Sequence, residues 1–227
     1  MRTSSRNLKF LAKGKIFVAL ALGVSIACRV LAGTSSASAD RSGLLDELRK
    51  SYGDSKTLVA RFTQKRKNIL GEVKESSGTI EVKRPNKFRW ETFAPEKSLL
   101  VANAKRVWYY TPPFRSGEKG QLMIRKSTDV QSQVAIDLLA GSADLKKAFH
   151  AQRLGEQHYE LKPIKSAGDI SKIELFLERS TKLVYKIVLT HSTGNETELA
   201  LQNVKLGTRL DDSRFEFKAP PGTEEIR

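Results

Sequence analysis

The segment Gly78–Pro95 decides how this chain folds, and it reads Gly-Thr-Ile-Glu-Val-Lys-Arg-Pro-Asn-Lys-Phe-Arg-Trp-Glu-Thr-Phe-Ala-Pro. Apolar and polar residues alternate on both sides of Pro85-Asn86. This pair is a typical turn signal, because proline fixes φ and asparagine tolerates unusual backbone angles. Two runs of period two around a turn predict a β-hairpin. Its apolar side chains would be Ile80 and Val82 on the first strand and Phe88 and Trp90 on the second.

Arg84 is the exception in this pattern. By parity it shares the apolar face of Val82, although a charge at the edge of an apolar interior is costly without hydrogen-bond partners. The pattern therefore predicts a specific partner for the Arg84 guanidinium. The alternative is an ordinary strand end, where the side chain extends its charged group into water.

Hydrophobic periodicity continues along the chain on both sides of this hairpin. It predicts one amphipathic helix at Ser42–Tyr52 and a second helical segment at Ser132–Ala148. The predicted strands are Thr57–Lys65, Thr79–Arg84, Lys87–Phe93, Ser98–Ala102, Arg106–Thr111, Gln121–Lys126, Phe149–Leu154, Gln157–Lys162, Ile170–Leu177, Leu183–Thr190 and Glu196–Val204. About eleven short strands at this spacing indicate an antiparallel sandwich or barrel.

The first 39 residues have the pattern of an export signal. Basic residues without acids precede the apolar run Ile16–Cys28, and Ala37-Ser38-Ala39 forms a small-residue cleavage site. The apolar run is too short to span a bilayer, which takes about 20 residues. We therefore predict a signal peptide at 1–39 and a single domain at 40–227, with a permanent anchor as the alternative.

Cys28, the only cysteine, offers a second way of processing the N-terminus. Ser25-Ile26-Ala27-Cys28 partly resembles a lipoprotein-processing site, and cleavage before Cys28 would leave a lipid-anchored protein. Cleavage after Ala39 removes the cysteine, so the mature chain would have neither a disulfide nor a reactive thiolate. Both outcomes stay open at this point.

The charge balance is strongly basic. Removal of the six basic residues of the signal leaves 34 basic against 25 acidic residues, which is a net charge of +9 for residues 40–227. Such a surface could meet nucleic acid or anionic lipid headgroups. The positive charges are scattered along predicted strands, however, and cluster only at Lys65-Arg66-Lys67. We interpret them as a solvated face and expect no nucleic-acid partner.

Signals of catalysis are missing from the sequence. It contains no Gly-x-Ser-x-Gly elbow, no glycine-rich phosphate loop and no His-x-x-x-His pair. His150, His158 and His191 are isolated, as surface or packing histidines usually are. We therefore expect no catalytic residue, no metal and no cofactor, and a lipid-modifying hydrolase is the enzymatic alternative.

The order of motifs resembles that of the outer-membrane lipoprotein carrier protein family, the LolA-type periplasmic chaperones. Phe62-Thr63-Gln64 comes first, the core Arg-Pro-x-x-Phe-x-Trp begins at Arg84, and Trp108-Tyr109-Tyr110 follows. The closing segment Phe215–Gly222 matches the last strand of the family. Tyr110-Thr111-Pro112 departs from a frequent Tyr-Asp-Pro.

This resemblance implies a mainly β (α+β) fold, an incomplete antiparallel β-barrel of about eleven strands with a helical lid over an apolar cavity. The helix Leu44–Tyr52 and the segment Ser132–Ala148 would form the lid, and Arg84 would be its latch and the residue that hands cargo on. The implied acyl-chain cavity is lined by Phe62, Ile80, Val82, Phe88, Trp90, Leu100, Trp108, Tyr110, Ile136 and Leu139. The structural alternative is that these side chains simply fill a core.

The function that the resemblance implies is that of a soluble, monomeric periplasmic chaperone. It would bind the acyl chains of lipoproteins released from the inner membrane by an ATP-driven exporter, and deliver them to an outer-membrane receptor. The alternative is a related lipid-binding or lipid-sensing module, itself lipid-anchored through Cys28.

Overall fold

A computed structural model describes residues 41–126, 139, 148–165 and 169–226 of the protein. In this part of the chain, helix α1 spans Arg41–Tyr52 and precedes twelve strands. The strands are β1 Thr57–Lys67, β2 Val73–Lys83, β3 Lys87–Ala94, β4 Ser98–Ala102, β5 Arg106–Thr111, β6 Gln121–Lys126, β7 Phe149–Gly155, β8 His158–Pro163, β9 Ile170–Leu177, β10 Val184–His191, β11 Glu196–Leu206 and β12 Glu224–Ile226. The predicted signal lies outside the described residues, as does the segment Ser132–Ala148 apart from Leu139 and Ala148.

All strands of the described part join one sheet, in the order β12-β6-β5-β4-β3-β2-β1-β11-β10-β9-β8-β7. Most neighbours are hairpin partners, and the long pairing of β1 with β11 joins the two halves. Because β12 and β7 are edges, the sheet is open. The predicted incomplete antiparallel barrel is confirmed, with one addition that periodicity did not indicate: β12 pairs parallel with β6.

The central hairpin forms where alternation predicts it. β2 pairs with β3 from Gly78 to Lys83 around the turn at Pro85-Asn86, where Asn86 has a φ of 62°. β2 begins at Val73, earlier than predicted, because its ladder with β1 continues through polar residues. Those polar side chains lack the apolar alternation on which the prediction depended.

The larger apolar cluster lies on one face of the sheet, which we call the inner face. Alternate residues of β1, β2, β3, β8, β9 and β11 contribute to it, and α1 packs on it through Leu44 and Tyr52, which are 0% and 6% exposed. Leu139, at 1% exposed, belongs to the same cluster. Continuous burial between the helix and the sheet is the main source of stability in such a fold.

A second, smaller cluster lies on the other face, which we call the outer face. It consists of Val101, Trp108 and Leu122, and Phe217 packs against it. The segment after the short 3-10 helix Asp212–Phe215 therefore covers the outer face of β4–β6.

The predicted closing strand Phe215–Gly222 is wrong. Phe215 ends the 3-10 helix, residues 216–220 have no regular structure, and the strand comes later, at Glu224–Ile226. Pro220 and Pro221 have no backbone N–H to donate to a ladder, so the segment packs by its side chains instead.

An ion pair anchors the 3-10 helix to the outer face of β2. Arg214 donates to both carboxylate oxygens of Glu81, with 2.6 Å between Arg214 Nε and Glu81 Oε2. Glu81 is 9% exposed, and a carboxylate buried to this degree destabilises the fold if its charge partner is removed. The hydrogen bonds to Glu81 in turn raise the pKa of Arg214.

Candidate functional site

A groove of about 510 Å³ opens on the inner face across β1–β5. Trp90, Leu100 and Tyr109 supply most of its apolar surface, and polar and charged side chains line the rest, among them Gln64, Thr92, Arg66, Lys74, Glu75, Glu96 and Lys97. Ligand pockets for small molecules typically measure about 300–1,000 Å³ and are lined mainly by apolar and aromatic side chains with a few polar groups. The volume of the groove fits that class of site, and its lining is more polar than is typical of the class.

The apolar surface of the groove is a continuous row across three strands. Trp90 pairs with Leu100 across β3 and β4, and Leu100 pairs with Tyr109 across β4 and β5. The rings of Trp90 and Phe62 are 4.4 Å apart, which supports the row from β1. Tyr109 is 44% exposed, and Trp90 and Leu100 are half-buried. A row of this kind, in contact with water, is typical of a binding surface.

The structure brings most of the predicted cavity residues together on the inner face. Trp90 and Leu100 line the groove. The others belong to the core cluster of the inner face, each at most 4% exposed: Phe62, Ile80, Val82, Phe88 and Leu139. Ile136 lies outside the described residues. The role of these side chains as acyl-chain contacts stays a prediction, and only Trp90 and Leu100 have exposed surface for it.

Trp108 and Tyr110 are separated from the other predicted cavity residues. The β4–β5 register pairs Trp108 with Val101, and both belong to the outer cluster. Tyr110 packs against the same cluster, and its ring lies 5.1 Å from that of Phe217. The placement of these two residues in the cavity is therefore corrected to the outer face.

Tyr109 is the aromatic residue of the groove that sequence reasoning missed. Trp108, Tyr109 and Tyr110 are all aromatic, so alternation could not show which parity points inward. The signal that decides it is the pairing of Tyr109 with Leu100, whose own partner is Trp90.

Arg84 reaches the C-terminal end of α1. Its guanidinium carbon lies 5.6 Å from the centre of the Tyr52 ring, and its backbone N–H donates to the Lys56 carbonyl at 2.7 Å. A cation over an aromatic face is attracted by the ring quadrupole. Within the described residues, the contact that the guanidinium makes is with this ring, at the end of α1.

Tyr52 links three elements at this point. Its hydroxyl oxygen accepts a hydrogen bond from the Val184 backbone N–H of β10 at 3.2 Å, while its ring meets Arg84 at the end of β2. Burial raises the pKa of Tyr52, and the Val184 hydrogen bond and the charge of Arg84 oppose that rise. The phenol therefore stays neutral at physiological pH, as a group on the buried side of a helix must.

Glu47 provides a second polar tie between α1 and the sheet. The Tyr159 hydroxyl donates to Glu47 Oε2 at 2.5 Å, and Lys182 Nζ lies 3.5 Å from Glu47 Oε1. These contacts hold the helix over the inner face at separate points along its length.

Two of the three histidines lie beside acidic side chains. His158 contacts Glu174 at 2.8 Å, and His191 contacts Asp169 at 3.0 Å. In the part of the chain that the structure describes, no group of three or more His, Cys, Asp or Glu residues is placed to hold a metal ion.

The match to known proteins agrees with this geometry. The profile of the family described as "Outer membrane lipoprotein carrier protein LolA" matches residues 53–218. The chain belongs to this family. A protein of Azotobacter vinelandii named outer-membrane lipoprotein carrier protein is 33% identical over 180 residues, which cover 76% of this chain and 83% of that protein. A protein of Pseudomonas paraeruginosa with the same name is 31% identical over 202 residues, 86% of this chain and 93% of that protein.

Among solved structures, a LolA superfamily protein from Nitrosomonas europaea is similar over 77% of this chain and 96% of that chain, at 12% identity and a TM-score of 0.45.

The family profile matches residues 53–218, which include Arg84 and all residues that line the groove. Helix α1 precedes the matched residues. None of the described helices is long and apolar enough to cross a bilayer.

Proposed function

We propose that this chain is a soluble periplasmic carrier that binds the acyl chains of lipoproteins released from the inner membrane and delivers them to an outer-membrane receptor. The observation that carries the proposal is the row Trp90–Leu100–Tyr109, an apolar surface left in contact with water in the groove of a carrier-family protein. A carrier needs an exposed apolar surface of this kind, whereas a protein whose apolar side chains only fill its core does not.

The energetics define which partners the carrier needs. Removal of an acyl methylene from water gains about 0.8 kcal/mol, so one sixteen-carbon chain gains about 12 kcal/mol in the groove. The same chain gains as much in a bilayer, so extraction from the membrane is nearly neutral in hydrophobic terms. The donor must therefore supply work, which fits an ATP-driven inner-membrane exporter. The carrier itself uses no nucleotide.

The polar ties of α1 suit a lid. To open the apolar core that α1 covers, the Arg84–Tyr52 contact and the hydrogen bonds at Val184 and Tyr159 would have to break. Net hydrogen-bond contributions of about 1 kcal/mol each and a cation–π contact of about 0.5–2 kcal/mol make the polar part of the opening cost a few kcal/mol. Exposure of Leu44, which is fully buried, adds about 1.5–3 kcal/mol. Binding of an acyl chain can offset that cost.

The proposed function is tested by release from the inner membrane. Spheroplasts that contain newly made outer-membrane lipoproteins are incubated with the purified protein. We expect lipoproteins to appear in the soluble fraction in complex with it, and cells depleted of it to retain them in the inner membrane. Normal sorting of lipoproteins in depleted cells would contradict the proposal.

Arg84→Leu should separate binding from delivery. The variant removes the cation from the Tyr52 ring but leaves the groove residues in place, so we expect acyl binding within about threefold of wild type, since an isolated cation–π contact is weak. Delivery to receptor-containing membranes should fall at least tenfold, because α1 no longer has its latch. The measurement is the fraction of radiolabelled lipoprotein transferred from purified complex to outer-membrane vesicles.

A matched control for that experiment is Arg179→Leu. Among the described residues, Arg179 pairs with Glu156 alone, on the surface, where both side chains are more than 70% exposed. We expect wild-type transfer from this variant. Equal loss of binding and delivery in Arg84→Leu would show that Arg84 supports the fold and is not a latch.

The N-terminus separates this proposal from a lipid-anchored module of related function. Ser25-Ile26-Ala27-Cys28 favours that second candidate, whereas Ala37-Ser38-Ala39 favours release of residues 40–227. Mass spectrometry of the exported protein distinguishes them, because a soluble carrier begins at Asp40 and an anchored module begins at an acylated Cys28.

A further inference from the structure

We propose that the turn between β1 and β2 is a contact surface for an anionic lipid bilayer. This surface, which we call the apolar tip, consists of Ile69, Leu70 and Val73. The inference goes beyond the proposed carrier role, because it concerns how the protein docks on a membrane and not what it carries.

Exposure is the first observation. Ile69, Leu70 and Val73 are 70%, 80% and 56% exposed. Three large apolar side chains close together in one turn leave a surface that water solvates poorly, and such patches usually mark contact sites. Turns between strands are more commonly formed by Gly, Pro, Asn, Asp and Ser.

The shape of the apolar tip is fixed. Asn68 Oδ1 accepts from the backbone N–H of Leu70 at 3.0 Å and of Glu72 at 2.9 Å, and Gly71 takes a φ of 85°. The Ile69 backbone N–H donates to Asn195 Oδ1 in the β10–β11 turn at 3.2 Å. The turn is therefore held in a defined conformation, and little conformational entropy is lost when it binds a surface.

Basic residues flank the apolar tip. The segment 65–75 contains four basic residues, Lys65, Arg66, Lys67 and Lys74, against the acids Glu72 and Glu75. Glu75 is paired with Lys65 at 3.5 Å, and Glu72 accepts from the Asn68 amide at 2.7 Å. Among the described residues, no ion pair involves Arg66, Lys67 or Lys74, although Glu196 lies opposite Lys67 in the β1–β11 register.

This combination selects the membrane as the partner. An apolar wedge enters the acyl boundary of a bilayer, while Lys and Arg side chains around it lie at headgroup level and attract anionic lipids. The long stems of these residues cover apolar surface while their charges stay in water. A neutral or cationic surface would gain nothing from the three cations that lack ion pairs.

Topology adds two more apolar residues at the same end of the sheet. The β3–β4 and β5–β6 turns lie at the same end of the sheet as the β1–β2 turn. The β1–β2 hairpin projects beyond the end of β3, because its ladder continues to the pair Lys67–Val73 while the last β2–β3 pair is Ser77–Ala94. Phe93 and Phe114 are 50% and 78% exposed there. The groove extends to this end, since Lys74 and Pro95 line it. If the proposed function is correct, docking brings the bilayer to the mouth of the acyl groove.

The test measures binding to vesicles without any lipoprotein. The exported protein is mixed with vesicles of phosphatidylethanolamine and phosphatidylglycerol, and with vesicles of phosphatidylcholine alone, and sedimented. We expect binding to the anionic vesicles and at least tenfold weaker binding to the neutral ones. The double variant Ile69→Ser/Leu70→Ser and the double variant Arg66→Gln/Lys67→Gln should each lose at least tenfold in affinity for anionic vesicles.

The matched control is Leu154→Ser, which removes a leucine that is 46% exposed at the opposite end of the sheet. It should bind vesicles as wild type does. Wild-type binding by the Ile69/Leu70 variant, equal binding of wild type to both vesicles, or no binding to anionic vesicles would each overturn the proposal. Loss of delivery by that variant with unchanged vesicle binding would also overturn it and point to a protein partner. Binding of a fluorescent fatty acid, measured in parallel, tests the groove separately.

Discussion

Leu100→Glu should lower the affinity for a fluorescent fatty acid about 30- to 100-fold, which corresponds to about 2–3 kcal/mol. Leu100 lies between Trp90 and Tyr109 in the apolar row, so an acyl chain in the groove would bury the new carboxylate. Burial of a charge without a partner costs several kcal/mol, and a shift of its pKa recovers only part of that cost.

The variant is suited to a binding experiment because its fold should survive. Leu100 is half-buried, so in the free protein the glutamate can reach the water of the groove. Affinity is measured by titration with an environment-sensitive fatty acid, and thermal unfolding checks that the protein is folded. Leu154→Glu, on the edge strand β7, is the control and should bind as wild type does. Unchanged affinity in Leu100→Glu would place the acyl site elsewhere.

The sheet was predictable from the sequence because its strands carry a local signal. Alternation depends only on neighbouring residues, and it placed β4, β5, β6 and β9 at their exact bounds. The parallel pairing of β12 with β6 was not predictable, since it joins distant segments and β12 contains only one apolar residue. The prediction of a closing strand at Phe215–Gly222 was wrong because it followed the resemblance to the family. The two prolines of this segment prevent a hydrogen-bonded ladder.

The site was predictable only in part, because exposure depends on distant segments. Phe88 and Trp90 have the same parity on β3, yet Phe88 is buried within the core and Trp90 lines the groove. No local pattern separates them. The partner of Arg84 was equally hidden, since Tyr52 is far away along the chain and comes close only when α1 crosses the sheet. Sequence reasoning could say that Arg84 needed a partner, but not which one.

Gly78→Ala should destabilise the protein by about 3 kcal/mol or more, at the upper end of the usual cost of overpacking. A Cβ at Gly78 would lie 1.8 Å from the Glu91 carbonyl oxygen of β3 and 2.8 Å from Cε1 of Phe62. The first contact is with backbone, so relief requires β2 and β3 to move apart. Urea unfolding followed by circular dichroism measures the change in the free energy of unfolding.

Gly155→Ala is the matched control, because it also adds a methyl group to a strand glycine. The nearest atom to its new Cβ would be His158 Cβ at 3.7 Å, an ordinary contact, so its stability should change by less than about 1 kcal/mol. Equal stability of the two variants would contradict the close approach of β2 and β3.

The effect of Gly78→Ala should also reach the groove, since Phe62 lies between Gly78 and the Trp90 ring. The fraction of Gly78→Ala that stays folded should therefore show altered tryptophan fluorescence and weaker fatty-acid binding. The reason is that Gly78 both lets β2 and β3 approach each other and supports the surface on which the acyl chain would lie.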